Sequence, residues 1–125
     1  MPPSWAIEEG AFFLKDLERL AKSLYKANAQ RKAFASYIKD LRREWEENGL
    51  PPRAHTMSGF SLPDGWSLRK VDLRPPGTRG QSGEMRVLAL VSEKERRIIL
   101  LMAYTHAEYP KQPGPREIQG RIANL

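Results

Sequence analysis

The stretch EMRVLALVSEKERRIILLMAYT, residues 84 to 105, sets the two most apolar segments of the chain on either side of a short charged run. Glu84 to Ser92 and Arg97 to Thr105 are both β-favourable, and EKER at 93–96 between them reads as a tight turn, so the pair is predicted to be a hairpin. Upstream, WSLRKVDL at 66–73 alternates imperfectly but is strand-like, and the nine-residue loop PPGTRGQSG at 75–83 joins it to the hairpin. Three consecutive antiparallel strands follow from this reading.

The first half of the chain has a different texture. Phe13, Leu17, Leu20 and Leu24 repeat at helical spacing within residues 9–27, with Lys15, Glu18, Arg19, Lys22 and Lys26 on the other side. A second helix begins at Asn28, carries the stripe Phe34, Ile38, Leu41 and Trp45, and is closed by Gly49 with Pro51 and Pro52. A short strand over residues 4–8 precedes this helical hairpin. The stretch LPPRAHTMSGFSLPDG at 50–65 reads as an irregular crossing loop, and Gly114 and Pro115 open a short terminal helix. The expected order is β-α-α-β-β-β-α, an α+β fold in which the helical hairpin packs on one face of an antiparallel sheet. The other face is left as the place to look for a site.

At 125 residues the chain has the length of one domain, spanning residues 1–125. No apolar run reaches the roughly 18 residues a membrane span needs, and no signal-peptide pattern opens the chain, so no membrane role and a cytoplasmic location are expected. The absence of cysteine excludes disulfides and thiolate chemistry. With His55 and His106 far apart in sequence, no metal site and no cofactor are expected. The net charge of +6 points to a polyanionic partner or to a solvated surface with surplus arginine. Residues 1–50 contribute +1 of it and residues 51–125 contribute +5, which places any basic function in the second half.

Basic side chains gather on the predicted sheet: Arg69, Lys70 and Arg74, then Arg79 in the loop, Arg86 on the next strand and Lys111 beyond the last. Arg86 lies within an apolar strand, where it needs a carboxylate partner such as Glu84 or Asp72, or an open cleft in which it can grip phosphate. His106 is either a surface residue ending a strand or, with Tyr104, Tyr109 and Lys111 close by in sequence, a group able to move a proton near neutral pH. Tyr109 either stacks on a base or packs on the terminal helix. The glycine-rich loop does not match a P-loop and reads as a hairpin connection.

Taken in order, the segments LPPRAHTMSG, LPDGWSLRKV, GEMRVLALV and YTHAEY resemble the RelE/ParE superfamily of bacterial toxins from toxin-antitoxin modules. The resemblance runs from about Ala11 to Ile122 and is carried by order rather than by any one motif. It implies a RelE-like fold and a ribosome-dependent endoribonuclease that cuts mRNA and is neutralised by a cognate antitoxin. Arg69 and Arg86 would stabilise charge on phosphate, and His106 would act as general acid or otherwise orient the phosphate. Lys70, Arg74, His55, Tyr109, Lys111 and Arg79 would be second-rank contributors to RNA binding. The first long strand carries Lys70 near the place where some members have a second histidine, so the general base stays open. The competing expectation is a binding protein of the same fold without chemistry, either a gyrase inhibitor or a degenerate member that holds ribosome or antitoxin.

Overall fold

The computed structural model describes residues 4–125. Its elements are β1 (Ala6–Glu9), α1 (Phe13–Leu24), α2 (Asn28–Asn48), β2 (His55–Met57), β3 (Trp66–Leu73), β4 (Met85–Ser92), β5 (Arg97–Thr105) and α3 (Pro115–Ala123). One sheet contains all five strands in the order β1-β5-β4-β3-β2. The meander β3-β4-β5 is antiparallel, as its sequence predicts. Two features extend that expectation. β1 joins the outer edge of β5 in parallel, which makes the sheet mixed, and β2 emerges from the stretch read as an irregular loop. β2 escapes pattern reading because it is three residues long with His55 and Thr56 exposed, so its backbone pairing with β3 leaves no apolar alternation.

The helical hairpin covers one face of the sheet. Phe13 and Leu20 of α1, with Phe34 and Trp45 of α2, are buried against Val71, Val87, Ile98 and Leu100. α2 stops at Gly49, whose φ of 77° with an extended ψ is open in practice only to glycine. A Cβ there would also meet the Trp5 indole at 2.9 Å, so glycine is required for space as well as for conformation.

The opposite face is less open than the sequence suggests. Leu68, Leu88, Leu90, Leu101 and Tyr104 form a second buried cluster under Ile118 of α3, with Phe60, Leu62 and Ile122 packed around it. The Gln119 side chain bonds the backbone of Ser61 in both directions, fastening the 58–65 loop to α3. A sheet buried on both sides gives runs of apolar residues rather than alternation. This is why RIILLMAYT reads as continuously apolar.

β5 is held on its outer edge by an arrangement with no signature in the sequence. β1 ends at Glu9, opposite Leu100, and beyond that point side chains take its place. Arg121 donates to the Leu101 carbonyl, the Ala103 N–H donates to Asp16, Arg19 donates to the Ala103 carbonyl, and the Thr105 N–H donates to Glu108. Asp16 is only 1 % exposed and is gripped by Arg121, with Nη2 at 3.0 Å from Oδ1, and by Arg19 at 2.7 Å. Buried backbone groups need partners, and this edge finds them in an ion network joining α1, β5 and α3.

No helix among the described residues is long and apolar enough to cross a membrane.

Candidate functional site

The strand register decides which side chains can act together. In the β3-β4-β5 meander, Asp72 lies opposite Arg86 and Arg86 lies opposite Tyr104, giving a row of three across the sheet. One pleat further on, the same register sets Arg74 beside Glu84 and Glu84 beside His106. The Arg74–Glu84 ion pair at 3.2 Å and the His106 N–H donating to the Glu84 carbonyl at 3.0 Å confirm it. One pleat back, His55, Lys70, Leu88 and Met102 share a row. All three rows occupy the face opposite the helical hairpin, since facing residues in an antiparallel pair share a side and residues two apart do too. That face therefore grades from ionisable at the Arg74–Glu84–His106 end to apolar where α3 and the 58–65 loop cover it.

Arg86 finds the carboxylate partners that its apolar strand calls for. Its side chain is 14 % exposed, with Nε 3.4 Å from Asp72 and Nη2 3.2 Å from Glu84. Its Nη1 is buried without a hydrogen-bond partner. The Tyr104 hydroxyl and His106 Nδ1 are in the same condition, and these are the three such side-chain atoms among the described residues. An unpaired buried polar group costs about 1–3 kcal/mol, and three on neighbouring positions of one face set this end of the sheet apart. Burial drives the Tyr104 hydroxyl up to about 12, against a downward pull from the Arg86 charge and a push from Asp72, so it is a neutral donor at physiological pH.

The other residues singled out in the sequence are distributed unevenly. Arg69 is separated from Arg86 and His106. It pairs with Thr56 and Ala89, one position out of phase with Lys70, and so lies on the helical-hairpin side. There its Nε donates to Ser67 at 3.1 Å, and it lines a cleft with Trp5, Gly49, Pro51 and Pro52. The expected trio of Arg69, Arg86 and His106 is thus not assembled, because a one-residue shift along a strand changes the face. Lys70 occupies the face that Arg69 was expected to share. Arg74 reaches Glu84 and the Gly80 carbonyl, His55 is exposed at the sheet edge, and Arg79 and Lys111 are exposed in loops. Tyr109 packs edge-on against Tyr104 with centroids 5.5 Å apart and donates to Glu117 at 3.2 Å, so it belongs to the α3 contact.

Glu84 and Tyr104 join the site as members in their own right, where the sequence suggested Glu84 only as an ion-pair partner for Arg86 and Tyr104 only as a neighbour of His106. The signal for both was available: each sits two residues from a chosen residue, Arg86 and His106, and so on the same face of its strand. Among the described residues no three His, Asp or Glu side chains gather closely enough to hold a metal ion.

No protein-family model and no curated protein matches the chain. Solved structures do, two of them as follows. The solution structure of the conserved hypothetical protein HP0892 from Helicobacter pylori aligns with 83% of this chain and 97% of its own, at 16% identity and a TM-score of 0.41. A chain of the archaeal RelE–RelB complex from Pyrococcus horikoshii OT3 aligns with 82% of this chain and 94% of its own, at 15% identity and a TM-score of 0.50. With the helical hairpin on one face of a five-stranded sheet and an antiparallel meander at its centre, the chain has a RelE-like fold.

Proposed function

We propose that the protein is the toxin of a type II toxin-antitoxin pair and acts as a ribosome-dependent mRNA endoribonuclease. The observation that carries the reading is the cluster of unpartnered polar atoms, Arg86 Nη1, Tyr104 Oη and His106 Nδ1, on adjacent positions of one sheet face. A guanidinium, a neutral phenol and an imidazole side by side suit a phosphodiester: the first two can receive charge that builds on the phosphate oxygens, and the third can give a proton to the leaving oxygen. Lys70, His55 and Arg74 border this cluster in the next rows and supply cationic surface for the RNA backbone. The reading in which the partner is an antitoxin draws on the likeness to a chain of the RelE–RelB complex.

The test is induced expression of the wild-type chain, of His106→Ala and of Arg86→Ala, with mapping of mRNA 5′ ends on translating ribosomes. New ends with the wild type that fade in both variants are expected. Growth arrest without new ends would remove the nuclease and favour a binding protein that works without chemistry.

A further inference from the structure

A phosphodiester cut by its own 2′-hydroxyl requires a proton acceptor, and among the described residues the geometry points to Glu84. We infer that Glu84 takes the 2′-hydroxyl proton while His106 protonates the leaving oxygen; the inference rests on the nuclease reading above. Glu84 sits directly across the β4–β5 pair from His106, its carbonyl holding the His106 N–H at 3.0 Å. Side chains so placed have Cβ atoms roughly 5 Å apart, which lets a carboxylate and an imidazole flank one phosphorus from two sides. The Glu84 carboxylate is oriented by two guanidinia, Arg74 on Oε1 and Arg86 on Oε2, each at 3.2 Å. It remains one-third exposed, so both oxygens keep lone pairs within reach of a substrate.

The way Arg86 is occupied selects Glu84 over Asp72. Asp72 binds Nε, on the strand side of the guanidinium, whereas Glu84 binds Nη2, beside the unused Nη1. Glu84 also stands in the His106 row, whereas Asp72 lies one row away opposite Arg86, so Glu84 is the carboxylate that faces the imidazole across the strand pair. Glu108 is committed elsewhere, to Arg19 and the Thr105 N–H at the outer edge of β5. His55 stands in the Lys70 row, a full row beyond Arg86. In the step so assigned, the 2′-oxygen forms a bond to phosphorus as its proton passes to Glu84. The bond from phosphorus to the 5′-oxygen breaks as that oxygen takes a proton from His106. The products are a 2′,3′-cyclic phosphate and a free 5′-hydroxyl.

The experiment uses the full-length protein on programmed ribosomes, with the mRNA carrying at the mapped cut site either the natural linkage or one with sulfur in place of the bridging 5′-oxygen. Sulfur departs without a proton, so the two roles separate. Loss of a general base typically costs about 100-fold or more, so Glu84→Gln is expected to slow both substrates by at least that factor. His106→Ala is expected to be slow on the natural linkage and to recover on the sulfur one. Added formate, a carboxylate free to enter the vacated space, is expected to restore part of the rate to Glu84→Ala. The assignment is overturned if Glu84→Gln, with a wild-type circular dichroism spectrum, cleaves within a few-fold of wild type. It is equally overturned if sulfur rescues that variant, or if only KM changes. A wild-type protein that leaves the mRNA intact would overturn the nuclease reading itself, and this inference with it.

Discussion

A phenol sealed in a sheet face with nothing to bond is a cost the fold sustains, and Tyr104 is such a residue. Tyr104→Phe removes the unmade hydrogen bond while keeping the ring that packs on Tyr109, so it is expected to be at least as stable as wild type, by up to about 1 kcal/mol in urea unfolding. The same hydroxyl sets a pH dependence. Its folded value of about 12 lies above the ordinary 10.0, so the fold favours the neutral phenol. That contribution is complete below pH 10 and is lost as pH rises through about 12. The urea midpoint of wild type is therefore expected to fall more steeply over this window than that of Tyr104→Phe. Arg69 and Arg86 offer a sharper residue-scale contrast, since they occupy opposite faces. In mRNA cleavage Arg86→Ala is expected to lose about 100-fold or more, as removal of a charge-stabilising donor does, while Arg69→Ala stays within a few-fold of wild type. Equal losses would mean that the face assignment does not govern the chemistry.

Among the elements, β5 bears the heaviest structural demand. It is central to the sheet, buried on both faces, and flanked by β1 along only its first half. Its second half depends on Asp16, Arg19, Glu108 and Arg121, so α1 and α3 are fastened to the strand that ends in His106. Removing one member of a buried ion pair leaves the other uncompensated, which typically costs about 3–5 kcal/mol. Asp16→Ala is expected to fall in that range by urea unfolding. Arg121→Ala should cost less because Arg19 still pairs the carboxylate left behind, and the double variant should cost far less than the sum. Additive effects would mean that the two residues stabilise the fold independently. Register is the other decision taken at this scale. Leu101 is an extra residue in β5 at the Leu88/Ala89 irregularity, and it returns Tyr104 and His106 to the face shared with Arg86.

For the molecule as a whole, the sequence discloses what depends on local pattern and conceals what depends on contact between distant segments. Helical spacing located α1 and α2, and the apolar runs with EKER located β4 and β5. It could not say which face Arg69 takes, because β3 buries Leu68 on one face and Val71 on the other and so shows no clean alternation. Nor could it reveal Asp16, which reads as an ordinary acidic residue in the first turn of a helix until Arg121, 105 residues away, closes on it. α3 is where these hidden contacts meet: its Ile118 seals the second core, Arg121 holds Asp16 and the Leu101 carbonyl, and Gln119 fastens the 58–65 loop. A chain ending at Gly114 loses all of them together. Exposing one large aliphatic side chain costs about 1.5–3 kcal/mol, and taking from the buried Asp16 carboxylate one of its two guanidinium partners adds to it. The combined loss approaches the whole stability of a small domain, about 5–15 kcal/mol, so the shortened chain is expected to melt broadly and non-cooperatively. Hydrogen exchange locates the damage: the Ala103 amide, bonded to Asp16 rather than to a strand, should exchange fast in the shortened chain, while amides in the β3-β4 ladder are the last to lose protection. Exchange that rises equally in every strand would mean that α3 supports the sheet as a whole and not the outer edge of β5.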